Sequence, residues 1–196
     1  MALGYTLIVG LCIGLITPIA QAEAPTDTLY PTTNTSTIVD GLTQEQRAAK
    51  IDAFFTLRDN SPLEGEGMTF VKAADAYGID WRLLPAIATI ESDGGQMPCK
   101  NKVAQNNLYG FGSCKIGFKS NEEAIDTISK NLAGLNPSTE AAYKGKTLNQ
   151  VLDAYNPPSV RPDYKKLVTW AMKKIAATDP TVLVATNSTS SQLAIK

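Results

Sequence analysis

The stretch Leu83–Gly95, LLPAIATIESDGG, decides how the rest of the chain is read. Leu83, Leu84, Ile87 and Ile90 recur at helical spacing and make an apolar face. The run then meets a carboxylate, Glu91, and passes at once into Ser92, Asp93, Gly94 and Gly95. A negative charge at the C-terminal end of a helix is opposed by the macrodipole, which favours cations there. Its presence asks for a reason other than helix stability. A carboxyl group with an apolar wall on one side and a cleft on the other is disfavoured in its charged form. Its pKa rises, and near neutral pH it can still donate a proton.

Helical signals surround this stretch. Thr43 with Gln46 three residues on reads as a capping box that opens a helix running to about Leu57, with Ala48, Ile51, Phe54 and Phe55 on its inner face. A second helix, Met68 to Tyr77, stops at Gly78, where a positive φ costs little. Asp80 is placed to cap a helix from Trp81 to Ser92, in which Pro85 falls past the first position and is expected to bend the start. Ser120 with Glu123 is a second capping box, and Ala124, Ile125, Ile128 and Leu132 line one face of the helix after it. Thr147 to Tyr155 reads as a short helix and Pro162 to Ala177 as a final amphipathic one. From Asp93 to Lys119 there is no helical period, only Gly, Asn, Cys and aromatic residues. The expected fold is mainly α, with a small irregular or β-hairpin lobe.

Bulk properties narrow the chemistry. A length of 196 residues suits one domain with tails, and the net charge of -1, with basic residues spread along the chain, leaves no footprint for nucleic acid. Histidine is absent, which removes His-dependent triads and most zinc sites, so neither a metal nor an organic cofactor is expected. Residues 1–22 read as a signal peptide: an apolar run from Ala2 to Ala20 is followed by the small-x-small pattern Ala20-Gln21-Ala22. No Lys or Arg precedes that run, so residues 2–20 also suit an uncleaved membrane anchor. Either way the protein is expected outside the cytoplasm: secreted, periplasmic or held at the cell envelope. Residues 23–41 form a Thr/Pro-rich linker, 42–177 the domain and 178–196 a flexible tail. Cys12 lies in the leading segment, so Cys99 and Cys114 remain as an even pair that predicts one disulfide in an exported protein.

The ordered set AYGIDWRLLPAIATIES, NNLYGFGS, SNEEAIDTISKNL and AYNPP followed by a tyrosine resembles the glucosaminidase-type domains of the lysozyme-like superfamily. The matching positions are Tyr77, Gly78, Leu83, Leu84, Ala86, Ile87, Glu91, Ser92 and Gly95, then Asn106, Asn107, Gly110 and Gly112. The resemblance runs from about Leu42 to Ile175. It implies a lysozyme-like fold, Glu91 as the catalytic acid, Tyr155 assisting it, and peptidoglycan glycan strands as the partner of a monomeric enzyme. Ser92, Asn106, Asn107, Tyr109 and Phe111 are then expected to contact substrate, the amides through hydrogen bonds and the rings by stacking.

The usual glycosidase needs two carboxylates about 5–5.5 Å or 6.5–9.5 Å apart. Between Asp93 and Glu122 the chain has no acid. Glu122 and Glu123 are more simply read as residues complementing a helix start. Two routes need only one glutamate: attack by the substrate's own N-acetyl group, or formation of a 1,6-anhydro sugar as in lytic transglycosylases. The sequence therefore points to an exported enzyme that cleaves β-1,4 bonds of peptidoglycan. The alternative is a catalytically silent glycan-binding or wall-assembly domain that keeps the cleft.

Overall fold

The computed structural model describes residues 38–59 and 61–183. The expected signal peptide or anchor lies outside them, as do most of the linker and the end of the tail. Seven α-helices follow one another among the described residues: α1 Gln44–Thr56, α2 Gly67–Tyr77, α3 Leu83–Ser92, α4 Asn121–Leu132, α5 Glu140–Tyr143, α6 Leu148–Tyr155 and α7 Tyr164–Ala177. The only β pairing among those residues is an isolated antiparallel bridge between Val39 and Leu42. No described helix is long and apolar enough to cross a membrane.

The caps form where side chains can reach the free N–H groups. Thr43 Oγ1 accepts from the Gln46 amide at 3.3 Å while Gln46 Oε1 accepts from the Thr43 amide at 2.9 Å, closing the box that starts α1. Thr147 and Gln150 build the same box before α6. Before α4 the box is split: Ser120 accepts from the Glu123 amide at 3.1 Å, but the Glu123 carboxylate takes the amide of Lys119, one residue earlier. α2 ends on Gly78 at φ 66°, in the left-handed region.

α3 is the central element. Every residue from Leu83 to Thr89 is buried, and the helix packs on α7 and α4 while α2 packs on α1 and α4. Its start differs from the expected one. Asp80 does not cap a helix at Trp81; its carboxylate accepts from the Arg82 amide at 2.9 Å and grips the Arg82 guanidinium at 2.6 and 2.8 Å, and regular helix begins only at Leu83. Pro85 therefore stands in the first turn, where its missing N–H had no helical acceptor to lose and no bend is needed.

α1 carries a second departure from the pattern. Ala48, Ile51, Phe54 and Phe55 face inward as expected, but so does Arg47, with 0 % exposure. Its guanidinium forms a two-pronged pair with Asp75 of α2, at 2.6 and 2.8 Å, and Gln44 adds a bond to the same carboxylate at 2.7 Å. Charge at the α1–α2 contact is thus met by charge and hydrogen bonds together.

The segment between α3 and α4 contains no strand, and Cys99 and Cys114 are joined in a disulfide with their Cα atoms 5.7 Å apart. Closing a loop of that size stabilises by about 3 kcal/mol through lost unfolded-state entropy. Reduction is expected to lower the melting temperature by roughly 6–12 °C, at 2–4 °C per kcal/mol for a domain of this size. Calorimetry with and without reductant checks this, and hydrogen exchange should rise first in the disulfide loop.

Candidate functional site

A cleft of about 700 Å³ opens where α3 ends. Glu91 enters it from the last turn of α3; Gly110, Phe111, Gly112, Ser113 and Ile116 of the disulfide loop form one side. Thr127 and Asn131 of α4, Asn136, Ser138 and Thr139 before α5, and Tyr143 form the other. Tyr155, Asn156, Pro157 and Val160 close the end. Among these described residues Glu91 is the sole charge.

Glu91 leaves a helix that is buried from Leu83 to Thr89, so its stem rises beside the core while its head meets the cleft. The carboxylate lies against the backbone of Gly110: a Cβ built there would stand 2.9 Å from Glu91 Oε2. Gly110 also has φ 63°, so glycine is required twice over, for the left-handed turn and for the close approach. The macrodipole mismatch is eased by Arg161, which reaches the Ile90 carbonyl at 3.5 Å and lies over the Tyr164 ring at 5.9 Å.

A row of rings stands behind the acid. Phe111 is 6.5 Å from Phe118 and 6.4 Å from Tyr155, and Tyr155 lies parallel to Tyr164 at 6.2 Å and 2°. Burial and then the Glu91 charge raise the hydroxyl pKa of both tyrosines well above the ordinary phenol range, so both remain neutral donors. Tyr155 uses its proton on the Tyr109 carbonyl at 2.7 Å, which ties α6 to the loop that carries Gly110. The buried Tyr164 hydroxyl reaches toward Glu91 without completing a well-formed hydrogen bond.

Of the residues expected at the site, Glu91, Tyr155 and Phe111 line the cleft. Ser92, Asn106, Asn107 and Tyr109 do not; their polar groups are directed into the protein. Ser92 is buried with its hydroxyl 2.5 Å from the Leu108 carbonyl and accepts from the Gly95 amide at 2.9 Å, so it fastens the helix end to the loop. Asn107 makes four hydrogen bonds: its amide donates to the carbonyls of Phe111 and Ile116 at 2.7 and 2.8 Å, and its oxygen accepts from the amides of Tyr109 and Phe111 at 3.3 and 3.0 Å. Asn106 donates to the Phe118 carbonyl at 2.8 Å, and Tyr109 is wholly buried. These residues shape the wall that Gly110 and Phe111 present.

The glycines after Glu91 also serve the interior. A Cβ on Gly95 would meet Pro62 at 2.5 Å and Leu108 at 2.8 Å, and its φ is 93°. Close internal packing explains that glycine.

The opposite wall was not anticipated. Asn131 is buried and organises it, donating to the Thr127 carbonyl at 2.8 Å and accepting from Thr139 at 2.6 Å and from Asn136 at 3.1 Å. Among the described residues the side-chain oxygen of Asn156, beside Tyr155, has no hydrogen-bond partner. Asn156 and Tyr164 both belong to the stretch AYNPP followed by a tyrosine, and both stand beside Tyr155 at the cleft end. Among the described residues no group of His, Cys, Asp or Glu side chains could hold a metal ion.

The chain matches no protein-family model, no curated protein and no solved structure.

Proposed function

We propose that this is an exported, lysozyme-like enzyme that cleaves β-1,4 glycosidic bonds of peptidoglycan with Glu91 as general acid. The observation that carries the reading is the placement of Glu91, the sole carboxylate among the residues lining a sugar-sized cleft, with ring side chains and an open backbone edge around it. The Cys99–Cys114 disulfide suits an oxidising compartment outside the cytoplasm.

A single acid favours a one-glutamate route. Glu91 gives its proton to the leaving glycosidic oxygen as the C1–O bond breaks, and the substrate's N-acetyl oxygen bonds to C1 from the opposite face. The Glu91 carboxylate then takes a proton from the group that attacks C1 and displaces the N-acetyl oxygen. Water in that role leaves a reducing end; the sugar's own 6-hydroxyl leaves a 1,6-anhydro end. Neutral donors and acceptors on the Asn131–Thr139 side suit sugar hydroxyls and amides, and the unpaired Asn156 oxygen suits an N–H of the substrate.

Digestion of purified peptidoglycan by the mature domain, with mass spectrometry of the fragments, tests the reading. Reducing or anhydro ends support it and choose between the two attacking groups. Binding without release of fragments, across walls of several types, would replace it with the silent binding domain.

The Gly110 contact yields a sharper expectation. Gly110→Ala places a methyl carbon on the Glu91 carboxylate, and displacing a reacting group by about 1 Å costs roughly 10²-fold in rate. The kcat should fall by that order while KM changes little. Unchanged kcat would mean that the carboxylate does not work from the position against Gly110.

A further inference from the structure

The disulfide loop carries a charge that the cleft does not use. From Gly94 to Asn121 the chain has four lysines, Lys100, Lys102, Lys115 and Lys119, and no acid, although the whole protein is balanced to -1. All four are exposed, and none forms an ion pair with a described residue.

The fold gathers them. Lys100 follows Cys99 and Lys115 follows Cys114, so the disulfide brings the two stretches of chain that bear them together. Asn101 donates to the Cys114 carbonyl at 2.5 Å, and the Phe118 amide donates to the Gln105 carbonyl at 2.8 Å. The segment bearing Lys100 and Lys102 therefore runs along the one bearing Lys115 and Lys119. The second segment is also the cleft wall, since Gly112, Ser113 and Ile116 line the sugar-sized space. A cationic rim thus borders a cleft whose lining has no cation.

We propose that this rim is a second substrate contact, which binds the carboxylates of the peptide branches while the cleft, whose lining has no cation, holds the sugar units that bear them. The inference rests on the peptidoglycan reading above. Contiguity selects the partner: Lys115 stands between Ser113 and Ile116 of the cleft wall, and the polymer proposed to fill the cleft carries carboxylates on its own peptide branches. A separate polyanion would gain nothing from that adjacency. Lysine suits the task, as a flexible, hydrated charge able to follow mobile branches.

The test is cosedimentation of the Glu91→Gln protein with insoluble peptidoglycan freed of phosphate-bearing polymers, either carrying its peptides or stripped of them by an amidase. The expected result is roughly tenfold tighter binding to the peptide-bearing material, the size four exposed ion pairs can supply, falling as salt is raised. A variant with Gln at all four lysines should bind the two materials alike, and one with Arg at all four should keep the difference. Equal binding of the unaltered lysine protein to both materials would overturn the proposal, as would a preference that survives in the Gln variant. A preference seen only after phosphate-bearing polymers are added back would assign the rim to those polymers instead. Failure of the parent reading looks different: the protein with Glu91 intact then releases no fragments from either material, whatever the lysines bind.

Discussion

Glu91→Gln is expected to lower kcat on peptidoglycan by about 10²–10⁴-fold, the range over which a positioned general acid contributes. Glutamine keeps the length and shape of the side chain and its packing against Gly110, but it has no proton of suitable acidity to give. KM should therefore change little. The melting temperature should fall little, because the residue is only half-buried, forms no ion pair with a described residue, and is replaced by a side chain whose oxygen can still face the Tyr164 hydroxyl. Rates of fragment release, with calorimetry on the same preparations, measure both quantities. Cleavage at the parent rate would remove Glu91 from the chemistry and with it the proposed function.

In the proposed mechanism the rest of the site acts through Glu91, so this test separates more than one role. Tyr155 holds the Tyr109 carbonyl and so steadies Gly110, which in turn sets the carboxylate. Asn107 fixes the same loop by four bonds. Loss of these residues would loosen the acid without removing it, and would show as a lower kcat combined with a lower melting temperature. Glu91→Gln should show the first effect with little of the second.

The parts of the fold that were legible in the sequence are those set by local chemistry. Thr43 and Gln46 announce the start of α1 because both halves of the box lie within one turn, and Gly78 announces the end of α2 because few other residues accept its φ. Glu91 was legible because the periodic run around it breaks at a charge. The far wall was not. Asn131 looks from sequence like one more polar residue on α4, and only the approach of Asn136 and Thr139 gives its side chain a purpose. Asn107 is ambiguous for a related reason: an amide in a Gly-rich loop serves equally well to bind a sugar or to satisfy the loop's own backbone, and residue type alone does not choose. Arg47 defeated the pattern outright, since a periodicity rule places arginine outside and the partner that permits burial lies 28 residues away.

That partner makes Asp75 the position with the largest expected effect on stability. Asp75→Ala leaves the guanidinium of Arg47, at 0 % exposure, without its carboxylate, and takes an acceptor from Gln44 as well. Breaking one side of a buried charge pair costs about 3–5 kcal/mol. At roughly 2–4 °C per kcal/mol the melting temperature should drop by on the order of 10 °C. The loss should come from the buried charge deprived of its carboxylate more than from the bond itself, because a buried pair recovers only part of its desolvation cost and the remaining bond to the Thr43 carbonyl does not neutralise the guanidinium. Replacing both residues by apolar ones of similar volume, Arg47→Met with Asp75→Leu, is therefore expected to restore most of the stability that Asp75→Ala removes. A double variant as unstable as the single one would assign the pair a structural role that apolar packing does not replace, and an unchanged melting curve for Asp75→Ala would mean that Arg47 finds water or another acceptor once the carboxylate is gone.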